Sequence, residues 1–170
     1  MIYRLASLGV LALLLALVPV PSSARWRPSP PPRAETGRGK RPNLRPLLDA
    51  ICWVESRGRA NAVGDGGRSI GPYQIQRAYW QDAVSHIPAI GGRYEDVRDR
   101  RYAEAIILSY WDRYAREALR RGDYEVLARV HNGGPRGHRK AATLAYWYRV
   151  RRALQTQPRR RQAHESNHKH

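Results

Sequence analysis

The chain has 170 residues with a single cysteine, Cys52, and carries 31 Lys and Arg against 14 Asp and Glu, a formal net charge of +17. That length holds one compact domain with tails, and a lone cysteine excludes an intrachain disulfide, so the fold must rest on an apolar core to which five Trp and ten Tyr can contribute. Such a basic surface attracts polyanions. Its Arg and Lys are spread over every segment rather than along one helix face, which argues for a solvated basic exterior and against a specific nucleic-acid reader.

Residues 1–24 read as a secretory signal, with Arg4 as the basic start, Leu8 to Val18 as the apolar run and Ser22-Ser23-Ala24 as a small-residue cleavage site. The apolar run is short for a membrane span of about 20 residues, so the expectation is cleavage, a secreted or periplasmic product and no stable membrane anchor afterwards. Residues 25–41, rich in Pro, Arg and Gly, read as an extended linker. A folded domain is expected over 42–155, followed by a basic, His-containing disordered tail over 156–170, where no folded element would fix a metal site.

Within the domain, Asn43 is a candidate N-cap for a helix to about Arg57, with Pro46 tolerated in its first turn. Leu44, Leu47, Leu48, Ile51 and Val54 recur at helical spacing and form its buried stripe. Glu55 follows Ile51 at i+4 and Leu48 at i+7, which puts its carboxylate on or beside the core face at the helix C-terminus. Desolvation and the negative end of the helix dipole both raise a carboxyl pKa there. A salt bridge to Arg57 or Arg59 is the ordinary alternative. Cys52, on the same helix, reads as a small buried hydrophobe, since nothing near it activates a thiolate.

Gly58 ends this helix, and the GDGG run that follows is turn chemistry carrying Asp65. Gly71-Pro72 opens a short extended piece, Tyr73-Gln74-Ile75, expected as half of a β-hairpin. Residues 77–86 look helical and 87–94 loop. The strongest helix signal spans 99–121, with Ala103, Ile106, Ile107, Tyr110, Tyr114 and Ala118 inside and Arg and Glu outside. Gly122 stops it, Asp123 caps a short helix to about Val130, and HNGGP at 131–135 is a loop. A last helix over 143–155 is expected to face Leu144, Trp147 and Leu154 inward. With no internal repeats, the expected class is α+β, predominantly helical, in one domain with a small hairpin, as a monomer.

Several chemistries lack their sequence marks. There is no P-loop or dinucleotide fingerprint, no Cys/His cluster with zinc spacing and no G-x-S-x-G elbow, and neither a metal nor an organic cofactor is called for. What remains is a dry Glu and a loop Asp ten residues apart, flanked by Tyr, Trp, Gln and Asn. A protonated acid beside an ionised one can protonate a leaving oxygen while stabilising a nascent cation, as glycoside hydrolysis requires. Aromatic faces and amides suit a sugar groove.

The blocks ICWVES, D-x-G, GPYQI with a following AYW, RVHNGGPRG and TLAYWYRV, in that order, resemble the invertebrate-type, destabilase-like lysozymes over roughly Leu48 to Val150. The resemblance implies a lysozyme-like fold that cleaves the β-1,4 bond between N-acetylmuramic acid and N-acetylglucosamine, with peptidoglycan or a related amino-sugar polymer as partner and anionic wall polymers held by the basic surface. It implies Glu55 as general acid and Asp65 as nucleophile or ion-stabilising carboxylate. Ser69, Tyr73, Gln74, His131 and Asn132 would bind substrate along the sugar groove, while Trp80 and Trp147 read as core. The family is dense in disulfides, and here only Cys52 stands where it has a cysteine.

Other readings stay open on the residues alone. A lytic transglycosylase would use the same Glu without Asp65. An isopeptidase, an activity credited to some destabilase-like proteins, would draw on Ser69 and His131. A non-enzymatic cationic wall-binding or antimicrobial protein would need neither carboxylate.

Overall fold

The computed structural model describes residues 42–167, with side chains described as far as Thr156. The expected signal, the linker and the side chains of the tail histidines lie outside the described residues.

The first helix, α1 (Arg45–Ser56), buries Leu47, Leu48, Ala50, Ile51 and Cys52. The Asn43 carboxamide oxygen accepts from the Arg45 backbone N–H at 3.1 Å, although the helical turn already begins at Leu44. At the other end Arg57 turns left-handed with φ 56°, and Gly58 follows at φ 80°. This double reversal leaves Glu55 in the last turn of the helix.

Three two-residue strands come next, β1 (Val63–Gly64), β2 (Ser69–Ile70) and β3 (Ile75–Gln76), antiparallel in that order. The expected hairpin is therefore one strand larger. Tyr73 and Gln74 lie in the turn before β3 rather than in a strand, with Gln74 at φ 50°. Gly71 opens that turn at φ 80°, where a β-carbon would come within 2.5 Å of the Val97 carbonyl oxygen, so only glycine fits.

After α2 (Arg77–His86) and two short 3-10 turns at 88–90 and 94–98, the chain enters α3 (Arg100–Tyr114). Asp99 caps α3 by accepting from the Tyr102 N–H at 2.8 Å. The single helix expected over 99–121 breaks at Ala115, φ −144° and ψ 34°, and resumes as α4 (Arg116–Arg121). No Gly or Pro marks that point. Ala115 is buried, so packing sets the bend.

Asp123 caps α5 (Tyr124–Gly133) through the Val126 N–H at 3.1 Å. This helix takes in His131 and Asn132, which were expected in a loop. The final helix, α6 (Leu144–Asn167), faces Tyr146, Val150 and Ala153 inward, one residue out of phase with the expected Trp147, while Leu144, Trp147 and Leu154 are only partly buried. Its backbone runs on through the expected tail to Asn167, past Pro158 and the run Arg159 to Arg161.

The core gathers around α3, whose Tyr102, Ala103, Ile106, Ile107, Tyr110 and Trp111 are buried. Against the expected charged outer face, Glu104 is also buried at 8% exposure. The Tyr73 hydroxyl donates to its Oε1 at 2.7 Å, Arg45 Nη1 donates at 2.8 Å and Arg100 Nε at 3.0 Å. Arg100 also binds Asp49. Burial alone would push the Glu104 pKa up, but the donors from Arg45, Tyr73 and Arg100 outweigh it and hold the carboxyl below its ordinary value.

A depressed folded pKa contributes stability above the ordinary Glu value that is lost as the pH falls through the folded one. Glu104→Ala should therefore cost about 2 to 3 kcal/mol at neutral pH, moderated because both arginines reach solvent. Urea unfolding at pH 7 and in acid checks this, with the gap to wild type shrinking in acid.

Candidate active site

Glu55 sits at the end of α1 with its side chain 19% exposed, against α5 and α6. Its Oε1 is 3.8 Å from His131 Nε2. His131 is buried, and desolvation lowers its pKa to about 4, opposed by a hydrogen bond to the Tyr73 backbone. The imidazole is thus neutral near pH 7, and the contact is not an ion pair. Its Nδ1 shares a 3.4 Å hydrogen bond with the Tyr79 hydroxyl, and Tyr79 stacks on Tyr110 with ring centroids 3.6 Å apart.

From α6, the buried Tyr146 interacts with Glu55, although its hydroxyl has no partner in full hydrogen-bond geometry among the described residues. Glu55 therefore meets two weakly polar, uncharged groups. Desolvation raises its pKa, the Tyr146 hydroxyl and the Arg149 charge pull it back, and the Asp65 charge adds to the rise. No salt bridge to Arg57 or Arg59 forms. Arg57 lies instead over the Trp53 ring, 4.8 Å from its centroid.

Asp65 occupies the opposite environment. It is exposed and follows β1 in the left-handed conformation at φ 50°, which Asp tolerates better than most residues. The strand register pairs Gly64 with Ser69 and Ser69 with Gln76, so one row across the sheet converges on this carboxylate. The buried Ser69 hydroxyl donates to Asp65 Oδ2 at 2.5 Å, and Gln76 Nε2 donates to the same oxygen at 3.4 Å. Those two bonds, led by Ser69, hold the Asp65 pKa below its ordinary value.

The remaining expected site residues divide. Ser69 supports Asp65, and its only proton is committed there, so it forms no nucleophile–base pair with His131. Asn132 is exposed in the last turn of α5. Gln74 folds its amide onto the Gly71 carbonyl at 2.9 Å and packs where a Gly64 β-carbon would stand. Tyr73 is a correction: its side chain is fully buried with its hydroxyl on Glu104, so it is a core residue and lines no groove. Cys52 is a buried free thiol whose pKa burial pushes up, as expected of a packing residue. Trp80 and Trp147 pack partly buried against the core.

Sequence reasoning missed Tyr146, Tyr79 and Gln76. Tyr146 stood in the quoted TLAYWYRV block and Tyr79 in AYW, but no pattern separated a phenol that faces an acid from one that fills a core.

A family model described as Destabilase matches residues 45–153. The chain belongs to the destabilase family. Invertebrate-type lysozyme 6 of Caenorhabditis elegans is 37% identical over 111 residues, 59% of this chain and 79% of that protein. A lysozyme of Meretrix lusoria is 34% identical over 108 residues, 62% of this chain and 85% of that protein. The solved Tapes japonica lysozyme matches with a TM-score of 0.53 at 30% identity, over 62% of this chain and 85% of that one. A chain of the structure of Aeromonas hydrophila PliI in complex with Meretrix lusoria lysozyme matches at 0.54 and 35%, over 63% and 87%.

This destabilase-family chain is thus a lysozyme-like glycoside hydrolase with the lysozyme-like fold, mostly helical with a small antiparallel sheet.

The raised pKa of Glu55 has a cost. Its favourable contribution to stability is fully present below the ordinary Glu value and is lost as pH rises through the folded one. Glu55→Gln should therefore melt above wild type at pH 7 to 8 and converge with it near pH 4, by thermal unfolding. His131 acts in reverse: remaining neutral supplies stability above its ordinary pKa of 6.5 that fades as the pH falls toward 4.

Proposed function

We propose that the protein is an exported lysozyme that cleaves the β-1,4 bond between N-acetylmuramic acid and N-acetylglucosamine in peptidoglycan, with Glu55 as general acid and Asp65 as the carboxylate that meets the oxocarbenium-like centre. The observation that carries the reading is the division of labour between the two acids. Glu55 is dried against His131 and Tyr146, which raises its pKa and favours its protonated form, while Asp65 is wet and its anion is favoured by Ser69 and Gln76. Environments that push two carboxyl pKa values apart assign the acid and the anion.

In the first step Glu55 gives its proton to the glycosidic oxygen as the bond to the anomeric carbon breaks, and Asp65 stabilises or bonds to that carbon. A water then gives its proton to the anionic Glu55 and its oxygen to the anomeric carbon, releasing a reducing end with retention. Asn132, exposed next to His131, offers an amide to an N-acetyl or hydroxyl group. The net charge of +17 holds the enzyme on anionic wall polymers. Export rests on the N-terminal signal pattern.

A lytic transglycosylase is the competing reading. A carboxylate supported by two donors, which a transglycosylase does not require, favours hydrolysis.

Purified peptidoglycan digested with wild type, Glu55→Gln and Asp65→Asn, with products identified by mass, tests the assignment. Glu55→Gln should lower turnover at least about 10²-fold, Asp65→Asn should also lower it, and wild type should release reducing muropeptides. Anhydro-sugars from an active Asp65→Asn would instead establish the transglycosylase, and an intact wall in all three samples would reject both. The pH–rate profile should fall on the alkaline side as Glu55 ionises and on the acid side as Asp65 is protonated. Ser69→Ala, which removes the leading support of the Asp65 anion, should move the acid limb to higher pH.

A further inference from the structure

Between the C-terminal end of α1 and the middle of α6 lies an open pocket of about 470 Å³ lined chiefly by Trp53, Val54, Arg57, Arg149, Arg152 and Thr156. Three lining residues are cationic and none is acidic. Elsewhere some arginines, such as Arg45, Arg100 and Arg129, are paired with a carboxylate, and others, such as Arg59, Arg101 and Arg151, make no ion pair among the described residues. Arg57, Arg149 and Arg152 make no ion pair among the described residues, and what sets them apart is that three like charges share one concavity, with Glu55 the nearby acid that feels the Arg149 charge.

Two of the three guanidinium groups are supported by aromatic faces. Arg57 lies over Trp53, and Arg149 lies over Tyr146 at 5.5 Å from the ring centroid. A guanidinium held this way keeps its N–H edge available as a planar fork that matches a carboxylate. The pocket also adjoins the reaction centre: Tyr146 is the phenol that meets Glu55, and the Arg149 charge acts on Glu55 directly.

We propose that the Arg57–Arg149–Arg152 pocket is a subsite for a free carboxylate of the peptide stem carried by the muramic-acid unit beside the scissile bond. The proposal rests on the peptidoglycan reading given above. An occupant within electrostatic reach of Glu55 must be attached close to the bond being cleaved. Stem carboxylates meet that requirement on every muramic unit, whereas phosphate-bearing side polymers are attached sparsely and project away. Trp53, Val54 and Ala153 supply apolar contact for the aliphatic part of the stem.

The test compares wild type with the double variant Arg57→Gln, Arg152→Gln on three substrates: peptidoglycan stripped of side polymers, the same material with its stem carboxyls amidated, and wall that retains its phosphate polymers. Both arginines are solvent-facing, so the double variant's KM on the stripped material should rise about five- to ten-fold. On amidated material wild type and variant should have equal KM. An unchanged KM on stripped peptidoglycan, a penalty that survives amidation, or a penalty confined to phosphate-bearing wall would each overturn the assignment. Wild type inactive on all three would overturn the peptidoglycan reading itself, whereas an active wild type with an unaffected variant would overturn the pocket alone.

Discussion

A carboxylate buried near the start of α3 ties together parts of the chain that no disulfide joins. Glu104 accepts from Arg45 at the start of α1, from Arg100 one turn earlier on its own helix and from Tyr73 in the turn before β3. Arg100 extends the cluster back to Asp49 on α1. Buried charge is expensive unless its lone pairs are met by donors, and here three side chains from three segments meet them. The result is directional in a way that apolar packing is not. The helix that carries the acid and the turn that leads into the sheet are referred to the same point.

From that point the two halves of the site follow. The Ser56 hydroxyl, one residue past Glu55, donates to the Pro72 carbonyl at 2.8 Å, which fastens the end of α1 to the turn that Tyr73 anchors. The sheet then needs only two residues per strand, because its task is to align Gly64, Ser69 and Gln76 in one row beneath Asp65. Opposite, α5 and α6 bring His131 and Tyr146 against Glu55. One acid is dried by helices and the other hydrated on a ribbon, and the proposed division of roles rests on that contrast.

Much of this was legible because helical spacing is a strong constraint. Leu48, Ile51 and Glu55 can share a face only if the carboxylate approaches the core, and the structure puts it there. The caps at Asp99 and Asp123 and the bounds of α2 were equally local signals. What escaped depended on contacts between distant segments. Glu104 is adjacent to the buried stripe of α3, and its charge placed it outside until partners from residues 45 and 73 are known. Tyr146 and Trp147 are both amphipathic aromatics, so the phase of α6 could not be read from either. The bend at Ala115 follows from packing and has no mark in local propensity. Tyr73 fell in the GPYQI block expected to line a groove, yet its ring is buried in the core with its hydroxyl on Glu104.

The two acids are anchored to bodies of unequal toughness. Glu55 rides on a helix whose apolar face is sunk in the main core, while Asp65 hangs from a six-residue ribbon by two side-chain bonds at a solvent edge. On warming, the ribbon fluctuates first. With Asp65 in its proposed role, activity is then lost before the helices melt, and cooling restores it without refolding.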